Sequence, residues 1–330
     1  MMFFPKFATL LLAMSSLISA TLSHEKTKQS PCKKIYERVP WQKLTGTEKR
    51  DYINADLCLM DAPATGGTPG AVTRWDELQY PHVLQTITVH EVGAFLPFHR
   101  YYMSVHEHLI RDECGYTGRM PYWDEPADLK DISASVLWAE DAFGGNGSDE
   151  EMCVSSGPFA NMTLRYKVGA GVDDGHCLTR NFTQSQFDYA ATEYIKECNK
   201  IGTYEEAWIC WSQKPHNAGH GGTGGIMQDP TLSPGDPVFY LHHSYLDKLW
   251  WDWQQIDKSR FWDMGGPNIP NQYNKSSSNY PGPEYTDYFG DNGGNVTTLN
   301  HTIFMTGLVA NITIGDIMDI RGPYMCTNYL

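Results

Sequence analysis

Nine of the twelve histidines in this 330-residue chain lie in two short segments, and this arrangement constrains the fold more than any other feature. The first segment reads PHVLQTITVHEVGAFLPFHRYYMSVHEH, and the second runs from HNAGH to the LHH that ends at His243. His216 and His220 are four residues apart, so on a helix they project from one face with Cβ atoms roughly 6 Å apart. Two imidazoles in that position can bind one metal ion. The sequence therefore predicts a metal site built on helices.

The spacing in the first segment predicts two helices with a break between them. His90 and His99 are nine residues apart, which on one continuous helix places them on opposite faces. Pro97 has no N–H and its ring clashes with the preceding turn, so we predict that it interrupts the helix. His90 then ends one helix and His99 begins the next, and the two side chains converge. His82 needs a bend near Pro81 to reach the same metal.

The remaining histidines are predicted to have other roles. His106 lies two turns beyond His99, roughly 10 Å away along a helix, which is too far to share a metal ion. We predict that His106 and His108 are structural or exposed. His24, His176 and His301 stand alone in the sequence, and we interpret them as surface or core residues.

Apolar periodicity predicts helices in five segments: 75–92, 98–112, 183–200, 203–221 and 237–256. Pro237 is placed as the first residue of the last helix. Residues 265–300 are rich in Gly, Pro, Asn and Ser and predict an irregular surface loop, and 301–326 predict a strand or two. We therefore expect a mainly α fold, with an antiparallel four-helix-bundle core, long loops and a few short strands, in one domain spanning 24–330.

The start of the chain resembles a secretory signal peptide, residues 1–20, with cleavage at about 20–23. Eight cysteines, an even number without a CxxC pair, predict disulfides, and 105 pairings of four bridges are open. We expect a secreted, extracellular protein with N-glycans at the seven N-x-[ST] sites: Asn146, Asn161, Asn181, Asn274, Asn295, Asn300 and Asn311. The net charge of −14 argues against nucleic-acid and anionic-membrane partners.

The ligand chemistry favours copper, with zinc as the competitor. Six candidate imidazoles occur without a thiolate or carboxylate in register. A di-iron bundle carries Glu-x-x-His pairs, whereas here the glutamates of VHEV and HEHL are adjacent to histidine and point to a different face. Iron is disfavoured on this ground.

Both histidine segments resemble the copper-binding segments of the tyrosinase/catechol oxidase (polyphenol oxidase) family of type 3 dicopper oxidases. VHEVGAFLPFHRYY is similar to the first, with Phe98 where Trp is commoner. HNAGHGG followed by DPVFYLHHSYLDKLWWDWQ is similar to the second. The resemblance covers residues 80–125 and 205–256. It implies two copper ions, with O2 as co-substrate and small phenols as substrates.

The resemblance also implies the ligand sets. The first copper takes His82, His90 and His99, and the second takes His216, His220 and His243. His242 then lies outside the ligand set, because adjacent helical residues point about 100° apart. The same resemblance gives Phe95 and Phe239 the role of walling the pocket, with plain core packing as the alternative. Asp247, one turn after His243, is expected to orient an imidazole or pair with a basic residue; a solvated position is the alternative.

Three further predictions concern the chemistry. GGTGG, directly after His220, is predicted to form part of the substrate entrance from Gly221 to Gly225, with backbone geometry alone as the alternative. Many family members link a ligand histidine to a cysteine, but Thr88 occupies the usual partner position, so we predict an unmodified His90. In the family, monophenol hydroxylation is associated with two residues, and Asn217 occupies the position of the first, an asparagine. The second is an upstream glutamate, and the candidates for it are Glu205, Glu206 and, as a weak substitute, Gln213.

We therefore expect a secreted copper oxidase that converts o-diphenols (catechols) to o-quinones while reducing O2 to water, with weak monophenol hydroxylation. Because the chain has no room for the C-terminal covering domain of longer relatives, we expect it to be active without processing. The alternatives are a full tyrosinase, a hemocyanin-like O2-binding protein, a di-zinc hydrolase and a non-catalytic glycoprotein.

Overall fold

The computed structural model describes residues 30–169, 171–269, 288–291 and 295–330. Within them, Pro31–Leu330 form one compact unit. The predicted signal peptide, His24 and the Asn274 glycan site lie outside the described residues. The six described asparagines of the predicted glycan sites all have exposed side chains. No described helix is both long enough and apolar enough to cross a membrane.

The described chain is mainly helical, as predicted. The helices are α1 (Gly46–Asp61), α2 (Arg74–Val89), α3 (Phe95–Asp112), α4 (Gln184–Phe187), α5 (Thr192–Asn199), α6 (Tyr204–Trp211), α7 (Asn217–Thr223), α8 (Val238–Ile256) and α9 (Ile314–Ile317). The strands are short: β1 (Tyr36–Pro40), β2 (Met120–Tyr122), β3 (Thr163–Lys167), β4 (Gly171–Cys177), β5 (Thr302–Ile303), β6 (Ile312–Thr313) and β7 (Thr327–Tyr329). Helices α2, α3, α7 and α8 surround the histidines.

Local sequence explains where the long helices begin. Thr73 caps α2 by accepting a hydrogen bond from the Asp76 amide, while the Asp76 carboxylate accepts one from the Thr73 amide. This reciprocal arrangement satisfies two amides that the helix itself leaves unpaired. Pro237 lies one position before the predicted one, as the N-cap of α8, where its fixed φ suits the helix start.

The break between α2 and α3 is real, but its predicted position at Pro97 is wrong. Helix α2 ends at Val89 and helix α3 begins at Phe95, so Pro97 lies in the first turn of α3. Amides of the first turn have no helical partner, so a proline there costs nothing. Helix α2 continues through Pro81, near which the sequence predicts a bend.

The two predicted helices of the middle region are each divided. The segment 183–200 contains α4 and α5 with a short 3-10 turn, Asp188–Ala190, between them. The segment 203–221 is helical from Tyr204 onward, but α6 and α7 are joined by a π-helical turn, Ser212–His216, which contains Pro215. A wider turn accommodates a proline, which has no amide N–H to donate, and such turns are frequent at functional sites.

The two ends of the described chain meet. Strand β1 is the centre of a three-stranded parallel sheet, with β2 and β7 on either side. A disulfide joins Cys32 to Cys326 beside the β1–β7 pair. The other cysteines also form disulfides, so none is free: Cys58–Cys114, Cys153–Cys177 and Cys198–Cys210.

Asp247 is the centre of a buried ionic cluster behind the histidines. Its carboxylate accepts hydrogen bonds from Arg38, Arg100 and Tyr329. The side chains of Asp247 and both arginines are at most 1% exposed. The prediction that Asp247 pairs with a basic residue is confirmed, and the solvated alternative is wrong. The cluster ties β1, β7, α3 and α8 together.

Candidate dinuclear metal site

Three histidines of the first segment converge at the α2–α3 junction. His82 lies in α2, and His90 is the C-cap of that helix, in an extended conformation, followed by Glu91 with a φ of 57°. His99 lies in the second turn of α3. One ring nitrogen from each of the three lies within 4.8 Å of the others. The end of α2 at Val89 thus allows His90 to turn back toward His82.

The hydrogen bonds of these rings fix which nitrogen faces the centre. The Nδ1 atoms of His82, His90 and His99 contact the backbone carbonyls of Thr231, Thr86 and Phe95, at 3.2, 2.8 and 2.8 Å. A carbonyl only accepts, so each Nδ1 carries the proton and each Nε2 presents a lone pair. The Nε2 atoms of His82 and His99 are buried without a hydrogen-bond partner. Such atoms fit a metal ion, which supplies the missing partner.

A second group of histidines comes from α7 and α8. His216 ends the π-helical turn, and its Nδ1 donates to the Ser212 carbonyl at 3.3 Å. His220 lies one turn later, and its Nδ1 donates to the Met227 carbonyl. Helix α8 supplies His242 and His243. All four rings offer a nitrogen within 4.8 Å of one another.

The two adjacent histidines of α8 have different surroundings. The Nε2 of His243 lies 3.1 Å from the Nε2 of His220, so both atoms face one point. His242 instead contacts Glu125, with 2.5 Å between its Nδ1 and the Oε1 of that residue. The Nε2 of His242 is also buried without a hydrogen-bond partner, so the choice of His243 rather than His242 as the ligand rests on the resemblance.

The two groups of histidines are in contact. The rings of His99 and His243 stack with centroids 4.2 Å apart. His90 and His216 lie on another side with centroids 6.4 Å apart. Two metal ions held by the two groups would therefore be near neighbours, as a dinuclear centre requires.

Two buried phenylalanines cover the rings. Phe239 lies 4.1 Å from His243 and 5.3 Å from His82, measured between ring centroids. Phe95 lies 4.9 Å from His99 and 4.8 Å from His216. Each phenylalanine thus contacts histidines of both groups and keeps their rings in fixed orientations.

Burial keeps the imidazoles neutral. Desolvation lowers the pKa of His90 to about 4, although the Thr86 carbonyl acts in the opposite direction. The same cause holds the pKa values of His82, His99, His216, His220 and His243 well below the usual value. A metal ligand must be unprotonated, so this environment suits metal binding at neutral pH.

The glycine run after His220 is closely packed. A Cβ at Gly222 would lie 2.8 Å from the Phe187 side chain, and one at Gly224 would lie 2.2 Å from the Asn181 carbonyl oxygen. The lack of side chains in this run therefore lets the segment that contains α4 lie close to α7. This packing agrees with the alternative in which the glycines serve backbone geometry. Gly221 is also buried, and a Cβ there would lie 3.1 Å from the Cβ of Gln186. The packing favours the backbone alternative at Gly222 and Gly224, and the entrance role stays a prediction at Gly221.

Asn217 has an exposed side chain, and its Nδ2 donates to the Gln213 carbonyl at 3.1 Å. Glu206, in the first turn of α6, lies eleven residues earlier in the same helical run. At 1.5 Å per residue this corresponds to about 16 Å. Glu206 instead contacts Thr203 at 3.4 Å. Neither Glu205 nor Glu206 is thus the neighbour of Asn217.

Other histidines have the predicted structural or surface positions. His106 is buried, and its Nε2 lies 2.7 Å from the Asp56 carboxylate, whereas His108 is exposed. His301 contacts Asp291. Glu125 is the residue that sequence reasoning missed. Its only signal was its place as the second of two acidic residues that follow the apolar stretch MPYW.

Comparisons with known proteins agree with this geometry. A family profile described as the common central domain of tyrosinase matches residues 72–256. Tyrosinase-like protein phomQ1 of Diaporthe leptostromiformis is 30% identical over 93% of this chain and 82% of its own length. Tyrosinase ustQ of Aspergillus flavus is 29% identical over 99% and 90%. A polyphenol oxidase variant from Thermothelomyces thermophila superposes with a TM-score of 0.73 at 26% identity, covering 90% of this chain and 89% of that one.

The fold and the two groups of histidines thus define a type 3 copper protein. The chain belongs to the tyrosinase family of oxidoreductases. The family implies a dinuclear copper site, and the buried, unpaired Nε2 atoms described above fit it.

Proposed function

We propose that this protein is a secreted catechol oxidase, which oxidises o-diphenols to o-quinones and reduces O2 to water. The observation that carries the proposal is the set of imidazoles with inward Nε2 lone pairs, shared between two groups in ring contact. His82, His90 and His99 would hold one copper ion, and His216, His220 and His243 the other. Bound there, the copper pair supplies O2 activation and accepts electrons from the phenol.

The residues of the chain perform the positioning. Backbone carbonyls fix the ring orientation of five proposed ligands, so no rearrangement is needed when a metal binds. Phe95 and Phe239 exclude water from the inner face of the site. His90, His216 and His220 are only partly buried, so the phenol would approach on their side. Gly221 adds no side chain to that approach.

Diphenol oxidation is favoured over monophenol hydroxylation. Removal of a proton from a monophenol needs a base, and neither Glu205 nor Glu206 contacts Asn217, whose amide donates to the Gln213 backbone carbonyl. Asn217 itself supports slow hydroxylation as the second candidate activity.

Oxygen uptake by the copper-loaded protein, with catechol and tyrosine in matched runs, tests the proposal. Rapid uptake with catechol and slow uptake with tyrosine is the expected result. Comparable rates with both substrates would identify a tyrosinase. A fully loaded protein that consumes oxygen with neither substrate would contradict the enzymatic assignment. Secretion and glycosylation are tested separately by deglycosylation of the protein recovered from culture medium.

A further inference from the structure

A buried acid–histidine pair lies beside the second group of histidines and belongs to neither proposed ligand set. Glu125 follows strand β2, and its Oε1 lies 2.5 Å from the Nδ1 of His242. Both side chains are 0% exposed. Burial raises the pKa of Glu125 well above its usual value and lowers the pKa of His242 to about 3. A buried polar pair of this kind costs desolvation energy, so its retention calls for a reason.

The ring of His242 contacts every proposed ligand of the second copper. Its centroid lies 5.7 Å from that of His216, 4.7 Å from that of His220 and 4.9 Å from that of His243. The ring therefore lies between α8 and the start of α7, where it sets the distance between the helices that carry these ligands.

Gly219 provides the space for this contact. A Cβ at residue 219 would lie 2.1 Å from the Nδ1 of His242 and 2.8 Å from the Oε1 of Glu125. The first atom belongs to a fully buried ring that contacts three other histidine rings, so it has little room to move. Gly219, which lies between His216 and His220, is thus matched to the Glu125–His242 pair, and the three residues pack as one unit.

We propose that Glu125 and His242, seated on Gly219, are positioning residues for the second copper site. Glu125 orients the His242 ring, and the ring holds α7 so that His216 and His220 point at the same place as His243. Groups that orient ligands in this way typically change metal affinity by 10–100-fold when they are removed. The first copper site, on α2 and α3, has no contact with this unit among the hydrogen bonds and ring contacts of the described residues.

The test measures copper content and copper release in purified full-length protein. Glu125→Ala and Gly219→Ala should each retain about one copper ion per chain under conditions where the wild type retains two. Release of the second ion to a Cu(I) chelator should be about 10–100-fold faster. Glu125→Gln, which keeps a hydrogen-bonding group of the same size, should restore most of the wild-type behaviour.

A matched control separates this role from general destabilisation. Asp56→Ala removes a carboxylate from the other buried acid–histidine pair, Asp56–His106, which lies away from the ligands. It should lower the unfolding temperature but leave two copper ions bound. If Glu125→Ala keeps both ions with wild-type release, or Asp56→Ala loses copper equally, the inference is overturned.

The inference rests on the proposed copper assignment, and the same measurement distinguishes the two. Uptake of two copper ions by the wild type tests the assignment, and the difference between variants tests the role of the pair. A wild type that takes up no copper overturns both.

Discussion

The rings of His99 and His243 stack with an interplanar angle of 12° and centroids 4.2 Å apart. One belongs to α3 and the other to α8, so the packing of these two helices sets the separation of the two groups of proposed ligands. Phe239 lies one turn before His243 and packs on the rings of both groups. The spacing of the site therefore depends on an apolar contact as well as on the ligands.

Replacement of Phe239 by alanine should weaken both the fold and the site. The side chain is fully buried, and its removal leaves a cavity, which typically costs 3–5 kcal/mol. Urea unfolding measures this cost, and catechol oxidation per bound copper should also fall. Phe159→Ala removes a similarly buried ring from a remote part of the core. If that control loses as much activity per copper, Phe239 has no special role at the site.

Asp247→Ala should be the most destabilising change in the ionic core. It leaves the guanidinium groups of Arg38 and Arg100 buried without their shared partner, a loss of about 3–5 kcal/mol. Asp252→Ala, on the same helix, removes an exposed partner of Lys248 and should cost less than about 1 kcal/mol. Equal unfolding free energies of the two variants would contradict this prediction.

The metal-free protein should lose stability as the pH falls from about 6.5 toward 4. In the folded state the pKa of His90 is about 4, whereas an unfolded histidine titrates near 6.5. Between these values the unfolded chain binds protons that the native chain does not, so the free energy of unfolding decreases with decreasing pH. The His90 shift alone corresponds to about 3 kcal/mol. Denaturant unfolding at pH 7 and pH 4.5 measures it, and His90→Gln should reduce the difference.

The disulfide Cys58–Cys114 should stabilise the protein more than Cys198–Cys210. The first closes a loop of 56 residues and the second a loop of 12. The chain-entropy relation gives about 4 and about 3 kcal/mol respectively. Paired Cys→Ser variants of each bridge, compared by denaturant unfolding, test the order. A reversed order would show that native contacts outweigh loop entropy.

His90 should carry no covalent modification in the mature protein. All eight cysteines are in disulfides, and Thr88 occupies the position from which a neighbouring cysteine would react. Peptide mass mapping should give an unmodified mass for the peptide that contains His90. A peptide joined to a cysteine through His90 would contradict the disulfide assignment.

The sequence predicted the helical fold and the two histidine segments because both depend on local spacing. The i, i+4 pair of His216 and His220 needs only one helix to converge. The position of the α2–α3 break was wrong because Pro97 is tolerated in a first helical turn, and sequence alone did not place that turn. The convergence of His82 with His90 depends on the extended conformation of His90, which is a tertiary effect.

Contacts between distant segments were beyond the reach of sequence patterns. Glu125 meets His242 across 117 residues, and no spacing rule connects them. The packing of Gly222 and Gly224 against the α4 segment likewise depends on how two loops meet, so the run appeared open in the sequence. The one set of four disulfides that forms, out of 105 possible sets, was equally undetermined.

The bond between Cys32 and Cys326 spans 294 residues and makes almost the whole described chain a covalent ring. A protease that cuts once anywhere inside this ring does not divide the molecule. The nicked protein keeps its mass on a non-reducing gel and separates into two fragments only after reduction. In an oxidising medium that contains proteases, a single cut in a surface loop therefore leaves both groups of histidines on one molecule.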